Sequence, residues 1–319
     1  MRRFLLAALV LVVLVGAGAG ILYRWAAAEL VAPGPLADKR AFVVPTGTPA
    51  YLSEVFTSAG LIDRPLAFRA AVWWTAREGS LHAGEFALPA HASLRQLLTI
   101  LRTAHPIQHR LTIPEGLTAA QIASLLDRVD ALSGDTTIPP EGAVLPQTYA
   151  FERGTPRAAL LDRMTASMTK TLAETWAARD PALKLASPEE LVTLASLVER
   201  ETARPEERPH VAAVYLNRLR IGMRLQADPT IVYAASGGLG TLDHPITRVE
   251  LDRPGPYNTY RNLGLPSGPI ASPGLAALVA AAHPMASDDL FFVADGTGGH
   301  AFARTLDEHN KNVARWRGK

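Results

Sequence analysis

The sequence predicts an α+β protein preceded by one apolar helix, and three observations carry that expectation. A charge-free run, FLLAALVLVVLVGAGAGILY, extends from Phe4 to Tyr23. A strand–helix–helix–strand order fills residues 41–88, and a longer stretch of mixed helix and hairpin signals follows. The 319 residues are 48% hydrophobic and 19% charged, a globular profile rather than a disordered or collagen-like one. Lys and Arg total 32 against 30 for Asp and Glu, so the chain lacks the basic excess of an electrostatic nucleic-acid binder. The absence of cysteine excludes disulfides, thiolate metal sites and a thiol nucleophile.

The apolar run is long enough to span a bilayer core as a helix. Arg2 and Arg3 precede it, so the positive-inside rule puts the N-terminus in the cytoplasm and the rest outside. A cleaved signal peptide is the alternative, since Ala26-Ala27-Ala28 could be cut, but the run exceeds a usual signal core. Residues 1–30 are therefore read as an anchor with a short cytoplasmic N-terminus. Residues 31–40, with two prolines and a glycine, are a linker.

Ala41–Pro45 is a strand candidate. Thr48 is an N-cap with Pro49 at the first helical position, and Leu52, Val55, Phe56 and Ala59 share one face before Gly60. Asp63 and Pro65 start a second helix through Phe68, Val72 and Trp73, and Gly84–Leu88 returns as a strand. Trp73 and Trp74 read as packing residues rather than a sugar platform. A faint echo of apolar–Pro punctuation before a helix recurs at Val44-Pro45, Leu88-Pro89 and Ile113-Pro114. Thr155-Pro156 caps a helix carrying Leu161, Met164, Met168 and Leu172. Ser187 with Glu190 is a capping box, with Pro188 at the first helical position. Residues 221–273 are rich in Gly, Pro, Asn and Asp and read as functional loops. FFVADGTGGHAFART reads as a hairpin around Asp295–Gly299, with Thr305 and Glu308 capping a last helix.

The helix from Glu189 to about Glu201 carries the chemistry. At about 100° per residue, Leu191, Leu194, Leu197 and Val198 cluster on one face, and Glu201 falls on it. Glu199 points about 130° away, toward the polar side. A carboxyl on an apolar face holds its proton toward neutral pH, which a general acid requires. The alternative is a helix that has ended by Thr202, leaving Glu201 in water. No second carboxylate stands at a spacing that marks a nucleophile. The nine histidines form no HExxH or other close ligand pattern, His300 and His309 included, so neither metal nor cofactor is expected.

The stretch LASLVERETARPEERPHVAAVYLNRLRIGMRLQADPTIVY, Leu194 to Tyr233, resembles the signature of the YceG-like family, the endolytic murein transglycosylases. Tyr257-Asn258-Thr259-Tyr260, the run GLPSGPIASPG and Ala282-His283-Pro284 followed by FFVADGTGGHAF resemble it in the same order. In Leu145-Pro146-Gln147-Thr148-Tyr149, Gln147 stands where the resemblance calls for Asp, which puts an acidic role there in doubt.

The resemblance implies a membrane-anchored enzyme with a LysM-like βααβ module at 41–108 and a larger α+β catalytic domain at 109–319. It implies lytic cleavage of the β-1,4 bond between N-acetylmuramic acid and N-acetylglucosamine in nascent peptidoglycan strands. The products would carry 1,6-anhydro ends, and elongation would terminate. The catalytic glutamate falls on Glu201 of Glu201-Thr202, in agreement with the face argument. Thr202, Asn217, Gln226, Asp228, Tyr257, Asn258 and Tyr260 are candidates for the sugar-holding shell, although Asp228-Pro229 and Asn258-Thr259 could simply cap and turn a loop. Arg218 and Arg220 read as a solvated helix face, with contact to stem-peptide carboxylates as the alternative. Implied partners are peptidoglycan strands, the cytoplasmic (inner) membrane and glycan-polymerising penicillin-binding proteins, with the catalytic domain on the periplasmic side. A non-catalytic anchored scaffold for cell-wall synthases is the alternative, and a glycoside hydrolase a third.

Overall fold

The computed structural model describes residues 2–317, with side chains from Leu9 onward. The Arg2–Arg3 pair and the start of the apolar run at Phe4 therefore lie outside the described side chains. The chain divides into two units, Met1–His109 and Arg110–Lys319.

The first unit opens with helix α1 (Arg2–Val31), in which Leu9–Val31 is long and apolar enough to cross a membrane, with none of its most apolar stretch buried. After an irregular connection, β1 (Arg40–Val44) pairs antiparallel with β2 (Gly84–Leu88), placing Phe42 opposite Phe86. Between them lie α2 (Pro49–Ser58), α3 (Pro65–Trp74) and a 3₁₀ turn at Ala76–Glu78, so the expected βααβ order is present. Helix α4 (Leu94–Thr103) completes this core, with Phe56 packed edge-on between Phe42 and Phe68.

Thr48 caps α2 as expected, its hydroxyl accepting from Tyr51 N. Asp63 does not cap α3, whose N-cap is Arg64 with no side-chain bond. Of the two tryptophans read as packing residues, Trp74 packs on Tyr23 of α1, whereas Trp73 is 81% exposed. The buried face of α3 is set by Phe68 and Ala71, and Trp73 falls on the opposite side. The punctuation echo resolves into three strand-to-helix turns. Thr48, Ser93 and Thr118 each cap the next helix, the last two in reciprocal boxes with Gln96 and Gln121.

The chain passes into the second unit through β3 (Gln108–Thr112), which pairs with β4 (Thr148–Glu152) around α5 (Ala119–Asp127). Ile122, Leu126, Phe151, Leu160 and Met164 form a core here with the front of α6 (Arg157–Ala178). Thr155 does not cap α6. Its hydroxyl turns back to Glu152 O, and Pro156 occupies the N-cap without a side-chain bond.

Helix α7 (Pro188–Glu201) is the centre of the second unit. Leu191 through Val198 are all buried, including Thr193 and Ser196. α6, α8 (Arg208–Arg220), α9 (Asp228–Ala235) and α11 (Leu275–Ala282) all pack against it. Ser187 caps it through Glu190 N, but the reverse bond of the expected box goes one residue earlier, from Ala186 N to Glu190 Oε2. Residues 221–273 are not all loop: they hold α9 and the short α10 (Arg248–Asp252). The hairpin is present as β5 (Phe291–Ala294) and β6 (His300–Ala303), followed by α12 (Leu306–Arg317) with Thr305 and Glu308 at its start.

Candidate active site

Glu201 is the last residue of α7, and Thr202 leaves the helix in an extended conformation. The side chain is half-buried and borders a cleft of about 620 Å³ walled by Arg218, Gln226, Asp228, Tyr260 and the hairpin residues Phe292 and His300. Tyr215, fully buried on α8, donates its hydroxyl to Glu201 Oε1. Burial raises the Glu201 pKa from 4.5 to about 7. The Tyr215 bond opposes this, the negative charge of Asp228 adds to it, and His300 and Arg218 oppose it. The group thus sits at the midpoint between acid and base at neutral pH.

Three features surround this carboxyl, and the first alone bonds to it. The first is the Tyr215 hydroxyl. The second is Arg218, buried in the cleft wall with Nε donating to Leu290 O (2.6 Å) and Nη1 to Leu225 O (2.5 Å), which leaves its charge beside Glu201. The third runs through Glu207, which accepts from the Thr202 hydroxyl (2.9 Å) and the His300 backbone N–H (2.9 Å), with His300 Nδ1 at 2.8 Å. Burial would raise the Glu207 pKa, but these bonds outweigh it and hold the carboxylate ionised. Glu207 thereby ties the C-terminus of α7 to the hairpin.

The expected site residues divide. Glu201, Gln226, Asp228 and Tyr260 border one cleft, and the Tyr260 hydroxyl donates to Asp228 Oδ1. Thr202 is buried against Glu207. Asn217 donates to Ser287 O and Asp289 O, and buried Asn258 to Leu251 O and Arg253 O. Tyr257 packs on Tyr233, with ring centroids 4.9 Å apart. These four do not line the cleft.

Two readings of charge are corrected. Glu199 is not solvated: its side chain is 5% exposed, pairs with Arg208 Nη2 at 2.7 Å and accepts from Gly274 N at 2.9 Å. Periodicity assumed a solvent face that α7 lacks. A Cβ at Gly274 would meet the end of the Glu115 side chain rather than Glu199. Arg218 is likewise buried, whereas Arg220 is exposed. Val211, Val214, Tyr215 and Arg218 fall at i, i+3, i+4 and i+7, the spacing that could have exposed both Tyr215 and Arg218 as inward-facing. Asp228 is also a second carboxylate in the cleft, joined to Glu201 by folding rather than by sequence spacing.

Among the described residues, no group of three or more His, Asp or Glu could hold a metal ion. A half-buried acid near neutrality, facing a cleft with aromatic and polar walls, suits proton transfer to a bound oxygen.

Comparison with known proteins bears on the chain as a whole. Residues 42–315 match the YceG-like family. The endolytic murein transglycosylase of Streptococcus pneumoniae D39 is 30% identical, across 98% of this chain and 65% of its own length. That of Bacillus subtilis 168 is 38% identical, across 57% of this chain and 49% of its own. The chain thus spans about half to just under two thirds of the length of these curated relatives. The crystal structure of a yceG-like protein from Listeria monocytogenes superposes with a TM-score of 0.54 at 27% identity, covering 86% of this chain and 98% of that one.

Proposed function

Because the chain belongs to the YceG-like family, we propose that it is a membrane-anchored endolytic murein transglycosylase, a lyase with Glu201 as its single acid–base group. The observation that carries the reading is the Glu201 carboxyl, held near pKa 7 by burial and fixed by Tyr215 at the edge of an open cleft. The named activity of the relatives supports murein as the substrate.

In this mechanism, protonated Glu201 gives its proton to the glycosidic oxygen between N-acetylmuramic acid and N-acetylglucosamine as the C1–O bond breaks. The carboxylate left behind takes the proton of the muramoyl C6 hydroxyl. That oxygen bonds C1, closing the 1,6-anhydro ring and returning Glu201 to its starting state without water. Positive charge develops at C1 meanwhile, and Asp228, oriented by Tyr260 in the same cleft, supplies opposing charge. α1 supplies a single-pass anchor in the cytoplasmic membrane, with the second unit outside. The βααβ unit acts as a LysM-like module, and polymerising penicillin-binding proteins are the partners whose strands are ended.

Mass spectrometry of digested uncrosslinked strands tests the reading. Wild type should give fragments one water lighter than hydrolytic products, and Glu201→Gln none, with an unchanged circular dichroism spectrum. Reducing ends would make the protein a hydrolase. Equal product from Glu201→Gln would remove the assigned acid.

A further inference from the structure

A second cavity, of about 430 Å³, adjoins the Glu201 cleft and shares Gln226 and Tyr260 with it. Its wall contains Arg224, Arg248 and Arg261 against one acidic residue, Asp252. Arg248 Nε lies 2.8 Å from Asp252 and Arg261 Nη1 3.8 Å from it, so one carboxylate serves two guanidinium groups. Arg224 has no carboxylate within 4 Å among the described residues. The cavity therefore carries uncompensated positive charge, and its guanidinium groups suit forked contacts to planar or tetrahedral oxyanions.

The shared wall is itself unusual. Gln226 has φ 47°, a left-handed conformation that a side chain of this size rarely adopts. Its N–H donates to Thr259 O (3.2 Å), and the next N–H, of Ala227, donates to Thr259 Oγ1 (3.0 Å). These bonds hold the backbone in a costly state that presents Gln226 to both cavities, and such strain collects at functional sites.

Resting on the function proposed above, we infer that this arginine cavity is an oxyanion subsite for negative groups carried by the same strand that Glu201 cleaves. Every muramoyl unit carries its peptide stem on the lactyl ether, so a sugar bound at Glu201 delivers stem carboxylates to the neighbouring cavity. A diphosphate at the lipid-linked end of a nascent strand offers the same chemistry. Gln226 and Tyr260, between the two cavities, would contact the sugar from which the anion hangs.

The test is equilibrium binding of three strand preparations to full-length Glu201→Gln in detergent. One retains peptide stems but no lipid, one retains the lipid diphosphate but no stems, and one has neither. The expected result is binding on the order of tenfold tighter for a strand bearing an oxyanion, about one charge-assisted contact. That ratio should fall toward one in Glu201→Gln/Arg224→Gln/Arg261→Gln and partly recover with Lys at 224. Preference for the first preparation identifies the stem, and for the second the diphosphate. Equal binding of all three, or a ratio unmoved by the arginine substitutions, overturns the subsite. Failure of the lyase reading would show separately, as strands left uncut by wild type, and the binding ratios would still be measurable.

Discussion

Glu201 is balanced between burial, which keeps it protonated, and Tyr215, which favours its charge. Removing the Tyr215 hydroxyl should therefore raise the Glu201 pKa above about 7. Since the acid must start protonated, kcat/KM falls as pH rises through that value, and in Tyr215→Phe this alkaline limb should move up by about half to one pH unit. Stability runs the same way with pH. The folded pKa of about 7 exceeds the ordinary 4.5, so unfolding releases a proton between those values and stability falls as pH rises through the window. The full cost is at most about 3 kcal/mol, reduced because the carboxyl opens on a cleft. Glu201→Gln should accordingly raise Tm more at pH 8 than at pH 5, as calorimetry can read. A smaller gain at pH 8 would contradict the raised pKa. The position of Glu201 on the apolar stripe was legible at this scale. The burial of Glu199 was not, because periodicity tells which residues share a face but not whether other segments cover the opposite one.

At the scale of elements, ion pairs and caps decide how α7 is held. Arg208 at the start of α8 bridges Glu199 of α7 and Glu115, the latter at 3.2 Å. Arg208→Met leaves Glu199 buried without its cation and should cost about 3–5 kcal/mol in denaturant unfolding, whereas Glu199→Gln/Arg208→Met should cost less than the single change. Arg157 does comparable work between α5 and α6. Its guanidinium donates to the carbonyls of Leu126, Asp127, Val129 and Gly134, closing the end of α5. Arg157→Met should cost about 2 kcal/mol. The elements easiest to read in sequence were those with punctuation: α2 behind Thr48-Pro49, α7 behind Ser187-Pro188, and the hairpin around Asp295. α9 and α10 were missed because each is a turn or two inside Gly- and Pro-rich text, where tertiary packing rather than propensity makes the helix.

For the whole molecule, the exposed apolar surface of α1 fits a single-pass membrane anchor. Deleting residues 1–22 should move the protein from the detergent-extracted to the soluble fraction while keeping Tyr23 against Trp74 and Glu29 paired with Arg64. An intact mass lacking the first thirty or so residues, measured on protein from membranes, would favour the signal-peptide reading instead. The position of α7 has a last consequence, for heat. Many enzymes carry their reactive groups on peripheral segments that loosen early, so function fades while most of the fold persists. Here Glu201, the proposed proton donor, ends the innermost rod of its unit, wrapped by four neighbours. Thermal inactivation should then coincide with the cooperative melting of residues 110–319 and show no earlier, partial phase.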